Sequence, residues 1–174
     1  DIFFNEKCNV IVVNSTFEGG IESKWSHIYF SGGALIVDSS TFANSCSSYA
    51  NAIYGENGRV TVRNTKFRNL TVLNSAGAIG VKYAVNLTVE DCEFTNITSG
   101  KDGGVIFADI NPGYVTIANS KFHGCFAAFG GAVMQLRAEL NIINSTFEDN
   151  IAMSDGGVLW TSYANVSIEN STFK

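Results

Sequence analysis

Residues 115–122 read Val-Thr-Ile-Ala-Asn-Ser-Lys-Phe, and 25 positions later residues 140–147 read Leu-Asn-Ile-Ile-Asn-Ser-Thr-Phe. The phrase recurs along the chain. Its closing phenylalanines are Phe17, Phe42, Phe67, Phe94, Phe122, Phe147 and Phe173, spaced 25, 25, 27, 28, 25 and 26 residues apart. Seven positions before each stand Val10, Leu35, Val60, Leu87, Val115, Leu140 and Val166; five positions before stand Val12, Val37, Val62, Val89, Ile117, Ile142 and Ile168. Both columns are aliphatic throughout. Between them lie Ile11, Ile36, Thr61, Thr88, Thr116, Asn141 and Ser167, mostly short and polar. Such period-two alternation predicts one half-buried strand per repeat.

Three positions before each phenylalanine come Asn14, Ser39, Asn64, Asp91, Asn119, Asn144 and Asn170. These residue types tolerate left-handed backbone and bond to it locally, so the chain is expected to turn a corner there. After the corner, alternation points a small column (Ser15, Ser40, Thr65, Cys92, Ser120, Ser145, Ser171) and the phenylalanines inward. A third segment, introduced by turns that are often glycine-rich, carries Ile28, Ile53, Ile79, Ile106, Val133 and Leu159. Fixed columns repeated seven times fit a solenoid and not a sandwich, because each coil buries its apolar side only against its neighbours. The expected fold is all-β: a right-handed parallel β-helix of about seven coils of 25–28 residues, with three short strands per coil. Residues 1–174 form one segment, expected to be a fragment of a longer solenoid because neither end carries a recognisable cap.

Charged residues make up only 16% of the chain, with a net charge of −5 and no basic run, which gives no electrostatic footprint for nucleic acid. No apolar stretch approaches the roughly 20 residues that span a bilayer.

Gly77-Ala78-Ile79, Gly103-Gly104-Val105-Ile106, Gly130-Gly131-Ala132-Val133 and Gly156-Gly157-Val158-Leu159 resemble the GGA-I motif of the polymorphic outer membrane protein repeat. Phe147-Glu148-Asp149-Asn150 resembles its companion, F-x-x-N. Phe67 and Phe94 carry their asparagines, Asn69 and Asn96, one position early, and the second coil has Asn51-Ala52-Ile53 in the place of a glycine pair. The alternation of the two motifs is similar to that of adhesin-like β-helix proteins. The resemblance implies a surface-displayed passenger or adhesin.

Polysaccharide-cleaving β-helices need carboxylates grouped on the outward face, with or without calcium. The outward columns flanking the phenylalanines (Thr16, Thr41, Lys66, Glu93, Lys121, Thr146, Thr172 and Glu18, Ala43, Arg68, Thr95, His123, Glu148, Lys174) place no two carboxylates on neighbouring coils. Glu93 between Lys66 and Lys121, and Arg63 one coil from Glu90, read as surface ion pairs. Asp102 and Asp155 lie two coils apart. His27 and His123 are expected to face solvent, without the partners a zinc site needs. The reading therefore assigns no catalytic residue, no metal and no cofactor. Cys8, Cys46, Cys92 and Cys125 fall in four different coils and read as buried free thiols, a disulfide being the open alternative.

One residue after the inward aliphatic of the third segment stand Phe3, Tyr29, Tyr54, Gly80, Phe107, Met134 and Trp160. Alternation turns this column outward, and Tyr29, Tyr54, Phe107, Met134 and Trp160 are the candidate binding stripe. The competing reading is that a loop or a sister chain covers it for packing alone. Of seven N-x-S/T sequons, those at Asn86 and Asn165 start a strand beside a loop and are the glycosylation candidates. The chain is thus expected to be an extracellular, cell-surface structural or adhesive protein, non-catalytic. Its partners would be a host-cell, glycan or sister-solenoid surface, with self-association end to end or side by side. A carbohydrate-active enzyme and a fibre or coat component are the alternatives.

Overall fold

The computed structural model describes residues 2–20, 26–48, 52–74 and 76–174, and within them every regular element is a strand. Asp1, where the sequence enters a repeat, and Asn51, ahead of Ile53, lie outside the described residues. The fold is the expected right-handed parallel β-helix. Ile2–Val13, Ile28–Asp38, Ile53–Arg63, Ile79–Glu90, Tyr114–Ala118, Glu139–Ile143 and Val166–Glu169 pair in that order, all parallel. A second sheet runs from Thr16–Glu18 through Thr41–Ser47, Lys66–Val72, Glu93–Ser99, Lys121–His123 and Thr146–Glu148 to Thr172–Phe173.

The register follows the sequence columns. Val10, Leu35, Val60, Leu87, Val115, Leu140 and Val166 are successive rungs, as are the phenylalanines. Those seven rings stack with centroids 4.6–5.1 Å apart and within 13° of parallel. The predicted corner residues all take left-handed backbone, with φ between 47° and 51°. Inside the corner, a row of small polar side chains satisfies backbone that would otherwise be buried unpaired. Ser40 Oγ donates to Asp38 O (2.8 Å) and accepts from Ser15 N–H (3.2 Å); Ser120 Oγ donates to Ala118 O (2.8 Å) and accepts from Cys92 N–H (3.1 Å). The row is therefore a hydrogen-bond ladder within the core, and size alone does not account for it.

The coil has one side more than expected. From Ile106 to Ala152 each turn contains four strands, as in Ile106–Ile110, Tyr114–Ala118, Lys121–His123 and Phe126–Ala127. The additional corner lies two residues past each phenylalanine, where Gly19, Asn44, Asn69, Asn96, Gly124 and Asp149 have φ between 52° and 82°. Asn69 and Asn96 are thus corner residues in their own right, and their amides run in an external ladder. Asn44 Nδ2 donates to Glu18 (2.6 Å), Asn69 Nδ2 to Asn44 Oδ1 (2.9 Å) and Asn96 Nδ2 to Asn69 Oδ1 (3.4 Å). Asn150 of the F-x-x-N motif does different work. Its Oδ1 accepts from Cys125 N–H and its Nδ2 donates to Phe122 O, both at 3.0 Å, which ties two coils together through main chain.

The glycine turns have a steric cause. A Cβ on Gly77 would lie 1.9 Å from Gly104 O, one on Gly104 1.8 Å from Gly131 O, and one on Gly131 2.1 Å from Gly157 O. Backbone rides on backbone along this column. The preceding glycines, Gly103, Gly130 and Gly156, adopt φ of 57–68°.

Gln135 interrupts the apolar interior. Its side chain is fully buried between Ala108 and Thr161 on the inward rung, and neither amide atom has a partner among the described residues. A buried unpaired polar group costs about 1–3 kcal/mol. Gln135→Leu, similar in volume, is expected to raise stability by about 1 kcal/mol or more, read as a higher urea midpoint.

Candidate binding face and its comparisons

The third segment presents the aromatic column on its outer side, and the structure divides that column in two. At the early coils the rings are accessible and laddered. Phe3 stacks on Tyr29 at 4.4 Å and 3°, and Tyr29 on Tyr54 at 5.7 Å and 21°. Both phenols donate to Glu56, Tyr29 Oη at 3.3 Å and Tyr54 Oη at 3.0 Å. Burial, and next the Glu56 carboxylate, raise both phenol pKa values above the ordinary range, so the tyrosines stay protonated donors. Gly80 leaves room for the Tyr54 ring, which would lie 3.1 Å from a Cβ there.

At the later coils the column is covered. Phe107 and Met134 are each only 8% exposed and join Ala76 in a small apolar cluster outside the main core, with Phe129, Leu136 and Trp160 packed against it. Phe129 meets Trp160 edge-on at 6.4 Å. The turns carrying Ala76 and Phe129 fold back over the strands. The outward direction of Phe107 and Met134 follows from alternation, but their accessibility does not, because turn conformation has no period. Of the candidate stripe, Tyr29, Tyr54 and part of Trp160 remain open to a partner.

The charged rows behave as surface pairs. Lys66 meets Glu93 at 3.4 Å, and Lys174 meets Glu148 at 3.8 Å. Arg63 corrects the expectation of a Glu90 pair. It lies between Asp38 and Glu90 in register and takes Asp38 at 2.9 Å, a carboxylate already held low in pKa by hydrogen bonds from Asn64 and Ser39. A groove of about 290 Å³ at the first corner places Asp91 and Glu93 of one coil between Asn64 and Lys66 on one side and Asn119 and Lys121 on the other. No group of three metal-binding side chains occurs among the described residues.

His123 is exposed and lies 3.7 Å from Asp149. His27 departs from expectation. Its ring packs 5.8 Å from Phe17 and 6.2 Å from Phe42, Nε2 lies 3.3 Å from Ser45 Oγ, and burial pushes its pKa down. Asn86 is half-buried within a strand between Arg59 and Tyr114, while Asn165 is exposed in the connection before Val166–Glu169. The structure thus separates the two sequons.

No disulfide joins the four cysteines; Cys92 and Cys125 are buried as expected, whereas Cys8 and Cys46 are only half-buried. Burial lifts both thiols from 9.0 to about 12. The unfolded chain releases these protons at the lower value and the native chain holds them to the higher, so stability present below pH 9.0 is lost as pH climbs toward about 12. Urea midpoints are expected to fall across that window, and less so in a Cys92→Ser/Cys125→Ala variant.

A family model described as a right handed beta helix region matches residues 1–173. No curated protein and no solved structure matches the chain. Among the described residues, no helix is long and apolar enough to cross a membrane.

Proposed function

The chain belongs to the right-handed β-helix family, and from that premise we propose that it is an extracellular, surface-displayed structural or adhesive solenoid, non-catalytic, that engages its partner through the third face. The observation that carries this reading is the open Phe3–Tyr29–Tyr54 ladder with Glu56 fixed between the two phenols. Rigid, laddered aromatic rings with oriented hydroxyls lose little side-chain entropy on contact, which suits recognition. The resemblance to adhesin-like repeats and the exposed sequon at Asn165 support display outside the cell, with Asn165 the glycan carrier if the source glycosylates. The non-catalytic part draws on the pairing of outward carboxylates with basic side chains: Glu93 with Lys66, Asp38 with Arg63, Asp109 with Arg137 and Glu148 with Lys174.

The test is a Tyr29→Ser/Tyr54→Ser variant. It is expected to keep the wild-type circular dichroism spectrum and to lose attachment of the labelled protein to cells or to immobilised sister chains. Retained attachment sinks the assignment of the face. Release of reducing ends from neutral or uronate polysaccharides by the wild type, lost in Asp91→Asn/Glu93→Gln, would replace it with an enzyme reading centred on the first-corner groove.

A further inference from the structure

Beside the tyrosine ladder stand three polar side chains that are exposed or half-exposed. Glu56 accepts from two phenols but makes no ion pair among the described residues. Lys82 is its neighbour on the next coil, rung to rung, yet Lys82 forms no ion pair either; its Nζ lies over the Phe107 ring at 5.7 Å from the centroid. Next in sequence stands Tyr83, 57% exposed and held at φ 65°. The same corner is left-handed at Lys7, Asn57, Arg137 and Tyr163, so this backbone belongs to the repeat, and at this coil it presents an aromatic ring. The coil bulges directly after Tyr83: Glu56 pairs with Lys82 and Gly58 with Val85, so Tyr83 and Ala84 stand opposite the single Asn57. The rings of Tyr29 and Tyr54 have faces taken up by the ladder, whereas Tyr83 stacks on no ring among the described residues. It nonetheless stands near enough to both to influence their ionisation.

We propose that Tyr83, Glu56 and Lys82 form a subsite for a neutral glycan, with the Tyr29 and Tyr54 hydroxyls completing it. The inference rests on the contact face proposed above and names its ligand chemistry. A pyranose ring offers an apolar C–H side and, around its rim, hydroxyls that both donate and accept. The free face of Tyr83 takes the first. The Glu56 carboxylate accepts from adjacent hydroxyls and the Lys82 ammonium donates to them. Opposite charges on adjacent rungs cancel at a distance, so the patch holds out no net attraction to an anionic or a cationic partner, which favours an uncharged one.

The probe is an array of short neutral oligosaccharides built on glucose, galactose, mannose and N-acetylhexosamines, with sulfated and uronate-bearing sugars alongside, followed by calorimetry on the bound species. The wild-type chain is expected to retain a neutral sugar. Tyr83→Asn, a residue suited to left-handed backbone, and Glu56→Gln are each expected to weaken it about tenfold, the equivalent of one charged hydrogen bond. Tyr163 shares the left-handed corner and is 91% exposed, but Ser162 takes the place of the base and Leu136 that of the acid beside it. Tyr163→Asn is therefore expected to bind as wild type. Binding to no neutral sugar, preference for the anionic ones, or undiminished affinity in both site variants overturns the subsite. Attachment that survives enzymatic removal of surface glycans, yet is lost in Tyr29→Ser/Tyr54→Ser, overturns the glycan assignment while leaving the contact face standing as a protein interface.

Discussion

Phe94→Asp is expected to unfold the middle of the solenoid, with loss of the cooperative thermal transition and rapid proteolysis between the second and fifth phenylalanine rungs. Phe94 is fully buried and stacked on both sides, at 4.7 Å from Phe67 and 4.6 Å from Phe122. Removing such a ring costs about 3–5 kcal/mol, and a buried unpaired carboxylate adds several more. The sum rivals the roughly 5–15 kcal/mol that holds a whole domain together. Because each coil rests only on its neighbours, the damage should spread outward from Phe94 and fade with distance. Thr95→Asp, one residue along on the outer surface and beside Arg68 and His123 in register, is the control, expected within about 0.5 kcal/mol of wild type. Equal stability of the two variants would reverse the inward and outward faces.

The second large effect concerns a single methyl group. Gly104→Ala is expected to cost about 3 kcal/mol or more, at the upper end of overpacking penalties, because the obstacle 1.8 Å from the new carbon is the carbonyl of Gly131, which has nowhere to go. Relief would require the coils to part, at the expense of Gly104 N–H to Gly130 O and Val105 N–H to Ala132 O, both 2.9 Å. Gly124 is glycine for a different reason. It has φ 62°, and a Cβ there would meet only the Asn96 amide oxygen at 3.0 Å. Gly124→Asn should be nearly neutral, since asparagine occupies the same corner in three earlier coils. Chemical denaturation of the two variants separates contact from conformation as the cause, and a neutral Gly104→Ala would show that the coils have slack.

What was legible in the sequence follows from how local each requirement is. The arc from the first inward aliphatic to the phenylalanine is always seven residues, with one corner residue in a fixed place, so seven repetitions expose it. The fourth side escaped because its inward positions, Ser45, Leu70, Ile97, Cys125 and Asn150, share no hydropathy. Only the Gly/Asn/Asp column two residues past each phenylalanine announced it, and the corner chemistry there is as readable as at the first corner. The aromatic column was legible as a column; its cover was not, since Ala76 and Phe129 reach it through turns of unequal length. Glu56 and Tyr83 were missed for a related reason. They sit on a corner whose residues, Lys7, Gly32, Asn57, Tyr83 and Arg137, follow no common type, beside a one-residue bulge.

That bulge is one of three places where the arc from third to first segment lengthens. It spans seven residues from Ile28 to Leu35, eight from Ile2 to Val10 and from Ile79 to Leu87, and nine from Ile106 to Val115, the last around the cis Asn111–Pro112 bond. Tyr83, Asn111 and Pro112 are exposed at these corners, while the rungs on either side keep their pairing. The corner therefore works as a set of numbered sockets: a peptide grafted between residues 110 and 114 would be carried at a height along the axis fixed by its coil, about 4.8 Å from the next socket. A set of such grafts would turn the molecule into a molecular ruler, able to space two tethered groups in steps of one coil.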